Sequence, residues 1–161
     1  TVWGRLGHEG RIQLVIPTLL DELKVLEAGP ANRANSEFPF ALSAGERRDY
    51  TANTIYRDFG WRRKDPDGSL RMSPDDAATL GISTGDQARI TTATGSALAR
   101  VEVTERMLPG HVSIPNGFGL DNEDGTRSGI APNELTSLDD RDKFAGTPHH
   151  KFVPARIEAA G

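Results

Sequence analysis

The sequence predicts a mainly-β barrel with a few short helices. Three observations carry that expectation: short runs in which apolar and polar residues alternate, Gly- or Pro-containing turns between them, and helical patterns that stay brief. Arg11–Ile16 alternates in part and suits a short strand. Pro17 and Thr18 then open a helix with Leu19, Leu20, Leu23 and Leu26 on one face, stopped by Gly29 and Pro30. Phe38–Ala44 is an apolar run ending at Gly45 and reads as a buried strand. Leu70–Met72 is a second short strand. Ser73-Pro74-Asp75-Asp76 has a helix-start pattern, with a capping hydroxyl, Pro at the first helical position and acids at the positive end of the dipole; Gly81 closes that helix. Ala88, Ile90 and Thr92 alternate with Gln87, Arg89 and Thr91, and a Thr94-Gly95 turn leads to the matching run Ala99, Val101 and Val103. His111–Ile114 is a further strand, 116–131 a long surface loop, Asn133–Leu138 a helical turn, and Phe152–Ile157 the last strand. No internal repeat is visible. The expected organisation is a leading segment over 1–37, a barrel over 38–158 and a tail over 159–161.

Composition narrows the function. The 161 residues suffice for one ordinary domain with its own core. No run approaches the ~18 consecutive apolar residues of a membrane-spanning helix, so membrane insertion is not expected. The opening Thr1-Val2-Trp3-Gly4 has neither an initiator Met nor a signal-peptide pattern, which reads as a piece cut from a longer polypeptide. There is no cysteine, and hence no disulfide, thiol nucleophile or iron–sulfur ligand within the chain. A cysteine-free chain folds in cytoplasm or periplasm alike, and cytoplasm is the expectation. The net charge of −4 argues against nucleic-acid binding. Any anionic ligand must therefore meet a local basic patch, and 43–64 supplies one, with Arg47, Arg48, Arg57, Arg62, Arg63 and Lys64 against Glu46, Asp49 and Asp58.

The order of the motifs resembles one family. Met72–Asp86 is similar to the pattern "h-P-x-D-A-x-x-L-G-I-x-x-G-D", and Gln87–Gly95 to the alternating strand that follows it. Leu108-Pro109-Gly110-His111-Val112 matches "x-P-G-x-h", and Leu42-Ser43-Ala44-Gly45-Glu46-Arg47 resembles a first-strand exit "L-[ST]-x-G-R", departing from it at Glu46. Asn133-Glu134-Leu135-Thr136 and Pro148-His149-His150-Lys151 look like closing "N-x-L-T" and "P-x-x-K" motifs. Together these resemble the molybdopterin dinucleotide-binding domain at the C-terminal end of molybdopterin oxidoreductases such as formate dehydrogenases and nitrate reductases. The resemblance implies a double-psi β-barrel. It also implies molybdopterin guanine dinucleotide as cofactor, with molybdenum or tungsten in the full enzyme, and the remaining domains of that oxidoreductase as partners. Any iron–sulfur cluster would lie in those other domains.

The site residues follow from the same resemblance. Ser43, Gly45, Arg47, Arg48, Thr51, Asn53, Thr54, Arg57, Asn133 and Lys151 are expected to meet the dinucleotide. The composition suits such a ligand, because Arg and Lys pair with phosphate and small polar side chains bond to ring edges. With Glu46 directly after Gly45, either Arg47 or Arg48 could fill the family's Arg role, and replacing both should leave the domain folded. Asn133 could instead cap a helix, and Lys151 could be an ordinary surface residue. His149 and His150, read as neighbours on a strand, would face opposite ways and form no metal site. Asp121–Gly125 lacks the spacing of a calcium loop. There is no Gly-x-Ser-x-Gly, phosphate-binding P-loop or Gly-x-Gly-x-x-Gly, so no catalytic residue is expected and the isolated chain should be inactive. A protein-binding double-psi barrel of the kind attached to AAA ATPases is the alternative.

Overall fold

Six strands close on themselves in this computed structural model, which describes residues 15–29, 33–48 and 65–161. They are β1 (Phe40–Glu46), β2 (Leu70–Met72), β3 (Gln87–Thr92), β4 (Ser96–Val103), β5 (His111–Pro115) and β8 (Val153–Ala159), in the order β1-β5-β2-β4-β3-β8. Two further strands, β6 (Leu120–Asp121) and β7 (Arg127–Ser128), form a separate small hairpin inside what the sequence presents as loop 116–131. Asn122 and Gly125 close its tip, and Asp124 accepts bonds from the Thr126 amide and hydroxyl.

The alternation in the sequence decides what faces inward. Phe40, Leu42 and Ala44 of β1 meet Ala88 and Ile90 of β3, Ala99 and Val101 of β4, Val112 and Ile114 of β5, and Ala155 and Ile157 of β8 in one core. Burying each large aliphatic side chain contributes about 1.5–3 kcal/mol. Helix α2 (Pro74–Leu80) lies against this core through Ala77. Its ends are as the sequence predicts: the Ser73 hydroxyl accepts the Asp76 amide at 3.1 Å, and Gly81 closes it at φ 66°.

Two of the pairings are parallel, β1 with β5 and β2 with β4. Moving three barrel strands along the chain maps the set of pairings onto itself: β1–β5 onto β4–β2, β1–β8 onto β4–β3, and β2–β5 and β3–β8 each onto itself. The barrel therefore has a twofold topology although its sequence shows no repeat. This is the double-psi arrangement.

The first helix, α1 (Pro17–Ala28), belongs to a unit of its own, since the chain divides after Ala31. Pro17 begins it and Gly29 ends it, as expected. Val15 and Ile16 are not strand, and the rest of the expected Arg11–Ile16 strand lies outside the described residues. Asn133–Leu138 also departs from expectation. Only Pro132–Glu134 is helical, a single 3-10 turn.

Candidate functional site

Parallel pairing places two strand exits side by side. The C-terminal ends of β1 and β5 finish on the same side of the barrel, with Ala44 opposite Ile114 and Glu46 opposite Pro115. One residue more in β1 than in β5 makes a bulge at Gly45, where φ is 104°. A methyl group at Gly45 would stand 2.5 Å from the Asn116 Oδ1 atom. Glycine thus serves two purposes here, the left-handed backbone and the close approach of Asn116. Beyond the bulge the Asn116 amide donates to the Glu46 carbonyl at 3.0 Å, continuing the parallel contact past both strands. Replacing Gly45 by Ala should cost about 1–3 kcal/mol in chemical denaturation from backbone strain, and should displace Asn116. An unchanged unfolding midpoint would show that the bulge relaxes freely.

An open groove of about 1160 Å³ lies at this exit. One wall is the end of β1 from Ser43 to Glu46 with Arg47 just beyond it, together with Asn116. The second wall is the 3-10 turn and the residues after it, Pro132 to Leu138 in part, and the third is Pro148, His150 and Lys151. Leu135 sets the second wall. Its side chain is fully buried in the core, the Thr92 hydroxyl donates to its carbonyl at 3.0 Å, and Gly95 leaves room for the Glu134 carbonyl. With Leu135 anchored, Asn133 lies two residues away at the groove. The capping alternative for Asn133 falls, because the residue at the cap position is Ala131 and Asn133 is inside the turn. The third wall is attached to β1 by the Ala44 amide, which donates to the His150 carbonyl at 2.7 Å.

Sequence-distant residues thus converge. Ser43, Gly45, Arg47, Asn133 and Lys151 all line the one groove. Thr51, Asn53, Thr54 and Arg57 lie outside the described residues. Asn116 also lines the groove, and the sequence reading missed it because only the parallel pairing of two distant strands brings it beside Gly45. No strong local motif marks it. The side chains of Arg47, Asn116, Asn133 and Lys151 make no hydrogen bond or ion pair with another described residue. They are available to a ligand.

Arg48 is not at the groove. Successive residues leaving a strand point to opposite sides, and Arg48 turns inward where Arg47 turns out. Its guanidinium is spent on protein: Nε donates to Glu46 at 3.0 Å, Nη2 to the Ser69 carbonyl at 2.8 Å, and Nη1 pairs with Asp65. Asp65 in turn accepts the Ser69 amide and hydroxyl, each at 2.8 Å. Arg48 and Asp65 are each only 4% exposed. The expectation that both arginines could be removed from a folded domain is therefore corrected: Arg47 faces the groove and Arg48 braces the protein.

Glu46, the departure from the family pattern, is explained by the same network. Its carboxylate accepts Arg48, Arg71 at 3.2 Å and the Ser113 hydroxyl at 2.8 Å. Burial would raise its pKa, but the Ser113 bond and the two guanidinium groups outweigh that and hold it below the ordinary carboxylate value. An acid at this place is neutralised from behind, so Arg47 and Lys151 remain the groove's described uncommitted cations.

The two histidines lie in the irregular turn before β8 and not on a strand, which corrects the sequence reading. His149 Nδ1 lies 3.2 Å from Asp140, while His150 faces the groove.

Residues 40–154 match the family described as "Molydopterin dinucleotide binding domain". Over 110 residues the chain is 27% identical to a Staphylococcus aureus (strain USA300) protein named "Putative formate dehydrogenase"; the match covers 68% of this chain and 11% of that protein. The solved structure of acetylene hydratase from Pelobacter acetylenicus superposes with a TM-score of 0.62 at 19% identity, covering 99% of this chain and 23% of that one. The chain thus spans only a small part of the length of proteins it resembles. With the family match running through most of the chain and all three motif-bearing walls of the groove inside it, the chain belongs to the molybdopterin dinucleotide-binding family.

Proposed function

We propose that this chain holds the dinucleotide part of a molybdopterin guanine dinucleotide in the groove, within a larger molybdenum- or tungsten-dependent oxidoreductase of the formate dehydrogenase and nitrate reductase kind. The observation that carries the reading is the convergence of uncommitted Arg47, Asn116, Asn133 and Lys151 on one groove beside the Gly45 bulge. The donor set fits the group. Arg47 and Lys151 suit a pyrophosphate, and Ser43, Asn116 and Asn133 suit the hydrogen-bonding edges of sugar and ring. When bound, the metal and pterin supply the redox chemistry; the domain supplies binding and orientation. Reaction and substrate belong to the other domains of the parent polypeptide, and we place the enzyme in the cytoplasm. The protein-interaction alternative gives the groove's four uncommitted side chains no task.

The test is cofactor retention in the full-length enzyme. Arg47→Ala and Lys151→Ala each remove a charge-assisted contact of about 1.5–3 kcal/mol, roughly ten- to hundredfold in affinity. Each variant should purify with less molybdenum or tungsten and less pterin per chain, while the 161-residue chain alone keeps its melting temperature. Wild-type metal and pterin content in both variants would overturn the reading.

A further inference from the structure

The third wall of the groove is the end of a looped arm, residues 139–151. The arm doubles back on itself: the Asp142 amide donates to the Thr147 carbonyl at 2.8 Å, Arg141 bridges to Pro148, and the His149 amide donates to the Asp140 carbonyl at 2.9 Å. Asp142 caps its tip by accepting the amides of Phe144 and Ala145. At its base one carboxylate holds both limbs. Asp140 Oδ2 accepts Arg33 Nη1 at 2.6 Å, from the stretch just before β1, and Asp140 Oδ1 faces His149 Nδ1 at 3.2 Å.

The two residues after His149 are His150 and Lys151, which line the groove. Lys151 is exposed and makes no bond to a described residue, so its position depends on the turn that presents it. Backbone bonding alone ties that turn to β1, through the His150 carbonyl. Asp140 adds the side-chain tie on the other flank. The Arg33 guanidinium, and after it His149, keeps the Asp140 carboxyl below its ordinary pKa despite partial burial, as a committed acceptor requires.

We infer that Asp140, held by Arg33 and His149, is a positioning residue that sets Lys151 at the groove for the anionic part of the ligand. This rests on the reading of the groove as a dinucleotide site. It acts through geometry and touches no ligand itself.

The experiment titrates the 161-residue chain with guanosine diphosphate, a probe carrying the guanosine and diphosphate parts of the dinucleotide, followed by phosphorus NMR. Asp140→Asn keeps the shape and loses the double acceptor. It should weaken binding about tenfold at an unchanged melting temperature, and Arg33→Ala should weaken it similarly. In a Lys151→Ala background the same Asp140→Asn change should cost almost nothing more, since its effect passes through Lys151. A merely structural role would weaken binding equally in both backgrounds. That result, or an Asp140→Asn chain that binds like wild type, overturns the role of Asp140 alone. No binding of guanosine diphosphate by the wild-type chain overturns the dinucleotide reading and this inference with it.

Discussion

Arg48→Ala should destabilise the barrel by about 3–5 kcal/mol, because it takes the buried guanidinium away from Asp65 and from Glu46. The Asp65 carboxylate loses its guanidinium where water reaches poorly, and the half-buried Glu46 keeps only the Arg71 guanidinium. Their mutual repulsion and lost solvation add to the lost bonds, and the Ser69 carbonyl loses its donor as well. For a domain of this size each kcal/mol lowers the melting temperature by roughly 2–4 °C, so a fall on the order of 10 °C is expected. Arg47→Ala, one residue away, should change stability by no more than about 0.5 kcal/mol. Thermal and urea unfolding of the two single variants is the measurement. Equal, small effects would show that the buried pair contributes little and that both arginines belong to the surface. Arg48→Lys should recover only part of the loss, since an ammonium cannot reproduce the guanidinium fork that reaches Glu46, Asp65 and Ser69 together.

Leu135→Ala should cost about 2–5 kcal/mol, and its effect should reach the groove. The side chain is 0% exposed and packs in the core cluster, so truncation leaves a cavity under the 3-10 turn. The turn's other ties are the Thr92 bond to the Leu135 carbonyl and an ion pair between Glu134 and Arg127 on the surface. Neither replaces the lost packing, and exposed ion pairs stabilise little. Asn133 should therefore lose its fixed place before the barrel unfolds. Cofactor retention in the full-length enzyme should fall for both variants, whereas the stability of the 161-residue chain alone should fall for Leu135→Ala and not for Arg47→Ala. A Leu135→Ala protein that is destabilised yet retains its full cofactor content would show that Asn133 is not needed at the groove.

What was legible in the sequence was local. Ser73, Pro74 and Gly81 mark the ends of α2 because capping chemistry depends on adjacent residues alone. The Gln87–Val103 hairpin is legible for the same reason, its turn and its period lying within one short stretch. The groove was legible in half. Ser43, Gly45, Arg47, Asn133 and Lys151 carry the family's motifs and do come together. Asn116 has no such motif, and its place follows from a parallel pairing between strands about seventy residues apart, which alternation does not encode. Arg48 was misread because a basic run shows charge and hides direction. Only the burial of Arg48 with Asp65 shows which of two neighbouring arginines is structural. The β6–β7 hairpin was missed because two-residue strands are too short to display a period.

The Arg48–Asp65 pair has a bearing on how such domains diversify. It joins the chain on either side of residues 49–64, so the barrel meets that sixteen-residue stretch through a closed neck. Closing a chain costs entropy that grows only logarithmically with its length, about 0.6 kcal/mol for each doubling. Insertions, deletions and exchanges between residues 49 and 64 are therefore cheap for the barrel so long as the neck stays shut. Relatives can vary that stretch while the scaffold drifts independently.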